Sequence, residues 1–190
     1  TLELSGLLED IEQEISEFWP LNKTITPDDV RGERQSLKEA VLEDGWPLLE
    51  ESRGKAVFVL LAGGETRDIY VDSHPGLSGA RMFTLSDESS SEAAIFSLTD
   101  PLGDGEEITR MVSDGYIVRS RADSGGEEAD NNDTARRDAA LAVGAHSIST
   151  DYPAQVEGID YWVEIPDGTP SRCNPISAPE WWRSAAVECG

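Results

Sequence analysis

Two arginines two residues apart, with a carboxylate at the end of the next predicted strand, are the residues of this chain best suited to chemistry. Gly115-Tyr-Ile-Val-Arg-Ser-Arg-Ala-Asp123 alternates as a strand does. Ile117, Arg119 and Arg121 therefore share one face, and Tyr116 and Val118 the other. A helical pattern over 131–140 follows, and then Ile148-Ser-Thr-Asp-Tyr-Pro153, in which Ser147, Ser149 and Asp151 share a face opposite Ile148. A guanidinium presents a planar fork of donors to phosphate or hydroxyl oxygens. A carboxylate at a strand end can orient an imidazole, as it does in a catalytic triad. Two successive β/α units thus each offer a polar face and a charge at the strand's C-terminal end, where a (β/α) barrel keeps its active site.

The elements that must hold these residues read as alternating helix and strand. Leu2, Leu4, Leu7, Leu8, Ile11, Ile15 and Phe18 recur at helical spacing up to Trp19-Pro20, where proline ends the helix. Its acidic residues, Glu12 among them, read as a solvated face. Thr26-Pro27-Asp28-Asp29 reads as a turn or a capped helix start. A helix is expected around Leu37–Glu43. The apolar run Ala56–Leu61 has the signature of a strand buried on both faces, and a polar loop follows it through His74-Pro75-Gly76. Further strands are expected at Arg81–Thr84, Tyr116–Arg121 and Ser147–Thr150, with a brief one at Ile95–Leu98 and a late one at Tyr161–Ile165. Ser86–Ala94 reads as loop or short helix. Helices are expected at Glu106–Asp114 and Thr134–Val143, with a Gly- and acid-rich mobile loop at Ser124–Asp133. Arg136, Arg137 and Asp138 read as surface pairing. No internal repeat of fixed period is present. This order predicts an α/β fold with parallel strands. The 190 residues fall short of a usual eight-unit barrel of roughly 250 residues, and four strong strands leave an open edge. The chain reads as a fragment, a half that needs a partner, or a compact variant.

Composition narrows the function classes. Thirty-eight acidic residues against 15 basic ones give a net charge of −23, which disfavours binding to nucleic acid or anionic membrane. Three of the basic residues are lysine (Lys23, Lys38, Lys55) and the other twelve are arginine. Adaptation to high salt and an acidic secreted protein with a codon bias toward arginine both fit. No run of about 18 apolar residues marks a transmembrane helix. The chain opens inside a helical pattern without methionine, as a processed terminus would, so a removed leader is compatible with it. Cys173 and Cys189 have no further Cys or His beside them for a zinc site. The expectation is a disulfide closing the tail, contributing about 3 kcal/mol at most and implying an oxidising compartment; two unrelated thiols is the alternative.

Several stretches, in this order, resemble the calcium-dependent phosphoinositide-specific phospholipase C family: Ile25-Thr-Pro-Asp-Asp-Val-Arg-Gly32, Leu37-Lys-Glu-Ala-Val41 with Gly45-Trp-Pro47, Arg53-Gly-Lys-Ala-Val-Phe58, Gly79-Ala-Arg-Met-Phe-Thr84, Gly115 to Asp123, Asn132-Asp-Thr-Ala-Arg-Arg-Asp-Ala-Ala140, Ser149-Thr-Asp-Tyr-Pro153, and Gly168-Thr-Pro170 with Arg172-Cys-Asn-Pro175. The resemblance implies a TIM-barrel phosphodiesterase fold. It places residues 1–153 on the C-terminal half of that barrel and residues 154–190 in a C-terminal hairpin with the disulfide tail. It implies a phosphoric diester hydrolase acting on a phosphoinositide or glycerophosphodiester, with calcium as cofactor. In such enzymes one histidine activates the inositol 2-hydroxyl and a second protonates the leaving group. Those groups and the calcium ligands belong mostly to the N-terminal half. His74, in a loop, and His146, at the start of its strand, do not match them. Within this chain the resemblance implies Asp151 as a catalytic residue orienting a histidine, and Arg119, Arg121, Asp123 and Tyr152 as substrate-binding. The partners it implies are the substrate, a transient membrane surface, and an N-terminal half or a second copy of the chain; the location is secreted or periplasmic. A non-catalytic secreted acidic binding module derived from the barrel is the competing reading. A sugar-acting barrel enzyme is a third, and it would need two facing carboxylates at strand ends.

Overall fold

The computed structural model describes residues 2–166 and 171–179. The chain divides into two compact units, 1–96 and 97–190.

The first unit opens with α1 (Leu2–Phe18), as its apolar spacing predicts. Leu8 is buried. Glu12 departs from the expected solvated face. Its carboxylate takes the Tyr70 hydroxyl and, at 2.7 Å, the Arg81 N–H, and lies 3.3 Å from His74 Nε2. The helix pattern shows which residues are acidic but not which one meets donors from elsewhere. Helix α2 (Pro27–Arg31) begins with a reciprocal capping box: Thr26 Oγ1 accepts from the Asp29 N–H and Asp29 Oδ2 accepts from the Thr26 N–H. Such a cap is worth about 1 kcal/mol. Helix α3 (Leu37–Glu43) is capped by Ser36 and buries Leu37, Ala40 and Val41; α4 (Leu49–Ser52) is a single turn.

Strand β1 (Phe58–Leu60) pairs parallel with β2 (Met82–Thr84), in the register Phe58↔Met82, Val59↔Phe83 and Leu60↔Thr84. On its other edge the chain before α2 runs parallel at Thr24↔Ala56. β2 is buried throughout, but β1 is half-buried and its neighbours Val57 and Leu61 are exposed. The expectation of burial on both faces of β1 is thus corrected: within this unit helices cover it incompletely. The segment read as a polar loop is a helix, α5 (Gly64–Ser73). Its charged and β-branched residues give a weak helical signal; the anchor is Tyr70, which is buried and accepts from the Met82 N–H at 3.0 Å.

The second unit carries the predicted site. Strand β3 (Ile95–Ser97) straddles the unit boundary, and its last residue, Ser97, belongs here. Just beyond it, the Leu98 N–H donates to the Arg119 carbonyl of β4 (Ile117–Arg121). β4 pairs parallel with β5 (Ser147–Ser149), matching Arg119↔Ser147, Ser120↔Ile148 and Arg121↔Ser149, so the strand order is β3-β4-β5. Tyr116, Val118 and Ser120 are buried on one face, while Ile117, Arg119 and Arg121 are half-buried on the other, as the alternation predicts. Helix α6 (Gly105–Ser113) buries Ile108, Met111 and Val112. Helix α8 (Ala135–Ala142) buries Ala140. The α/β class with parallel strands holds; among the described residues β5 pairs with β4 alone, and no closed barrel is seen.

Two other expectations in this unit are corrected. The acid-rich stretch after β4 contains a short helix, α7 (Glu127–Asn131). Glu128 holds it, accepting from the Ser124 N–H at 3.0 Å and from Arg136 Nε at 2.9 Å. Residues 161–165 are not a strand, because their polar groups bond singly rather than in a ladder: the Val163 N–H donates to the Tyr152 carbonyl and the Trp162 carbonyl accepts from Arg137. Beyond residue 170, Asn174 donates to the Gly144 carbonyl at 2.7 Å. Gly144 has φ +77°, and a Cβ there would stand 2.5 Å from Ile176 Cγ1, so glycine is required both by conformation and by contact. Cys173 is half-buried. Cys189 lies outside the described residues, and with it the expected disulfide.

Candidate functional site

The site is built on one face of β4 and β5. Because side chains alternate and Arg119 is in register with Ser147, its side chain reaches diagonally along the same face to Ser149 and, on its other side, to Ser97. Nη1 donates to Ser97 Oγ at 3.0 Å and Nη2 to Ser149 Oγ at 2.8 Å. Ser149 Oγ passes its own hydrogen bond to the Ser120 carbonyl at 3.2 Å. Among the described residues the partners of Arg119 are thus hydroxyls, so its charge is oriented without being neutralised.

Arg121, one step along the same face, is still less satisfied. Its Nε is buried without a hydrogen-bond partner, and the nearest carboxylate oxygen, Asp151 Oδ2, is 4.0 Å from Nη2. The Asp151 side chain is 67% exposed and that of Arg121 33%. A pair this long and this wet is worth about 0–1 kcal/mol. In a chain with 38 carboxylates, two adjacent guanidinium groups without close carboxylate partners form a local cationic face.

The remaining predicted residues lie just past the strand ends. Asp123 is fully buried. Its Oδ2 accepts from Thr150 Oγ1 at 2.5 Å and lies 3.5 Å from the Tyr161 hydroxyl oxygen; its Oδ1 accepts from the Asp151 N–H at 3.0 Å. Tyr152 is half-buried, donates its N–H to Thr150 Oγ1 at 2.9 Å, and meets the Tyr161 ring edge-on at 5.5 Å. Tyr161, which sequence reasoning placed in a strand without a role, is fully buried and donates to the Ala122 carbonyl at 2.9 Å. Burial, and then the Asp123 charge, pushes its hydroxyl pKa up to about 12. Arg137 sits 5.9 Å from the centre of the same ring.

The structure therefore brings Arg119, Arg121 and Asp151 to one face, with Asp123 and Tyr152 packed beyond it. It adds Ser97, Ser149, Thr150 and Tyr161. Strand parity pointed to Ser149; nothing local in the sequence pointed to Tyr161. His146 is at the start of β5, where its Nδ1 accepts from the Val118 N–H at 3.3 Å. His74 belongs to the first unit, beside Glu12 and Tyr70.

Calcium needs six to eight oxygen ligands. Among the described residues no group of three or more His, Cys, Asp or Glu side chains could hold a metal ion. The Asp123 oxygens already face donors and Asp151 stands by a guanidinium, so this face does not suit the ion. What it can do is bind and orient an anion or a hydroxylated group. Among the described residues no helix is long and apolar enough to cross a membrane. Compared with known proteins, residues 3–175 match the family model described as phosphoinositide phospholipase C, Ca2+-dependent. No curated protein and no solved structure matches the chain.

Proposed function

The chain belongs to the calcium-dependent phosphoinositide phospholipase C family, and from that premise we propose that it serves phosphoric diester hydrolysis by holding the substrate phosphate and inositol hydroxyls on the Arg119–Arg121 face. The observation that carries this reading is the pair of guanidinium groups left without close carboxylate partners in a chain of charge −23. Arg119, fixed by two hydroxyls, offers a preset fork; Arg121 has an unused buried N–H for an anionic oxygen. Asp151, at the end of β5, is the group to orient a general base. Electrostatic stabilisation of the charge that develops on phosphorus oxygens is the contribution such a face makes.

The proton-transferring histidines and the calcium ligands come, in this reading, from an N-terminal half of the barrel or from a second copy of the chain, the described part supplying C-terminal strands. Calcium, when bound, supplies further charge neutralisation at the phosphate. The substrate is a phosphoinositide or another glycerophosphodiester, met transiently at a membrane surface by a secreted or periplasmic protein. The placement of His146 away from the strand C-terminal ends favours, as the second reading, a binding module without turnover of its own. Release of water-soluble inositol phosphate from phosphatidylinositol vesicles, with and without calcium, separates the two. The 190-residue chain alone is expected to show little or no turnover while still binding inositol 1-phosphate. Substantial calcium-dependent turnover by this chain alone would show that the catalytic groups are misplaced here, and failure to bind inositol 1-phosphate would sink the phosphate reading.

A further inference from the structure

We propose that Asp123 is a positioning residue that sets residues 150–152, and through them the carboxylate of Asp151, against Arg121; the consequence for ligand binding rests on the reading of that face given above. Asp123 is 0% exposed, yet its close partners are two neutral donors, Thr150 Oγ1 at 2.5 Å and the Asp151 N–H at 3.0 Å, with the Tyr161 hydroxyl oxygen 3.5 Å away and donating to the Ala122 carbonyl. Burying a carboxylate is expensive unless each lone pair is used. Here the use is directional. Thr150 Oγ1 gives its one proton to Asp123 and spends a lone pair on the Tyr152 N–H at 2.9 Å. One carboxylate thus fixes the Asp151 backbone directly and the Tyr152 backbone through Thr150. Those residues follow β5 immediately, at the point where the pairing with β4 ends.

The chemistry explains the residue type. Both groups that bond closely to position 123 are donors, so an acceptor without hydrogens suits it. An asparagine there offers one acceptor oxygen where two are used, so its amide donor must face either the Asp151 N–H or the Thr150 hydroxyl, and the bond it keeps is to a neutral rather than a charged acceptor. A carboxylate buried and engaged in this way is not open to a substrate, so positioning is the role proposed for Asp123 in place of the expected substrate binding.

The test is amide hydrogen exchange, read residue by residue, on wild type, Asp123→Asn and Thr150→Val, together with the Kd for inositol 1-phosphate. Asp123→Asn is expected to speed exchange at Asp151 and Tyr152 by about tenfold or more, to leave the β4 amides such as Ser120 protected, and to weaken inositol 1-phosphate several-fold. Thr150→Val is expected to speed Tyr152 while Asp151 stays protected, because that N–H bonds Asp123 itself. Uniform acceleration across the unit, or unchanged exchange at Asp151 in Asp123→Asn, would overturn the proposal. Should Asp123→Asn not fold, Thr150→Val decides: equal loss at both amides refutes the relay, and selective loss at Tyr152 supports it. A wild-type chain that does not bind inositol 1-phosphate would sink the ligand reading of Arg121, and Asp123 would then stand or fall on the exchange pattern.

Discussion

Replacing Arg121 by alanine separates a binding role from a structural one, because the two predict effects of different size on different measurements. The structural loss is small by its geometry. The group gives up one 4.0 Å contact to a carboxylate that is 67% exposed, while its own side chain is 33% exposed. Such a pair contributes about 0–1 kcal/mol, and removing the side chain also removes a buried Nε that has no partner. For a chain of this length that is a Tm change of about 0–4 °C. The binding loss is larger. A hydrogen bond from a charged donor to an anion contributes about 1.5–3 kcal/mol, or about 10- to 150-fold in Kd. Titration calorimetry with inositol 1-phosphate and a thermal melt on the same Arg121→Ala sample give both numbers. Arg121→Lys should recover part of the affinity, since lysine keeps the charge but loses the fork. A Tm lowered by more than about 10 °C with Kd unchanged would refute the reasoning and make Arg121 a structural group.

Three further outcomes follow from other parts of the chain. Tyr70→Phe leaves the buried Met82 N–H without its acceptor and takes one donor from Glu12, which keeps the Arg81 N–H, so urea unfolding should show a loss of about 1–3 kcal/mol at unchanged m. Gly144→Ala should cost about 1–2 kcal/mol for the left-handed backbone alone, and more from the contact with Ile176, read as a lower urea midpoint. Although His146 as a residue keeps solvent contact, withdrawal of its ring from water lowers its pKa below the ordinary value of about 6.5. The unfolded chain then binds the proton more readily, so this stability is intact above about pH 6.5 and is lost as pH falls through the folded pKa. His146→Gln should flatten that part of the curve, and an unchanged slope between pH 7.5 and 5 would refute the assignment.

What the sequence revealed and what it concealed divide along a physical line. Strand parity is a local property with a period of two, and it is enough to put Arg119, Arg121, Ser149 and Asp151 on one face. Capping chemistry is equally local, and Thr26-Pro27-Asp28-Asp29 folds as it reads. The errors arise where a partner far along the chain decides. Residues 64–73 read as loop because nothing local shows that Tyr70 will be anchored by Glu12 and Met82. Residues 161–165 read as strand because alternation cannot tell that no strand among the described residues pairs with them. Asp123 reads as a substrate-binding carboxylate beside the arginines, and nothing local shows that the Thr150 hydroxyl and the Asp151 N–H donate to its oxygens.

The cationic face described on β4 sits in a strongly anionic molecule, and that combination inverts the usual response to ionic strength. An incoming phosphate first meets the field of 23 excess negative charges and only at short range the two guanidinium groups. At about 0.01 M salt the field reaches roughly 30 Å, and at about 0.1 M roughly 10 Å. Raising salt across that interval removes distant repulsion while leaving the half-buried contact largely unscreened. Encounter with an anionic ligand should therefore quicken with added salt before it slows, the opposite of the monotonic fall seen when a basic surface steers the same ligand.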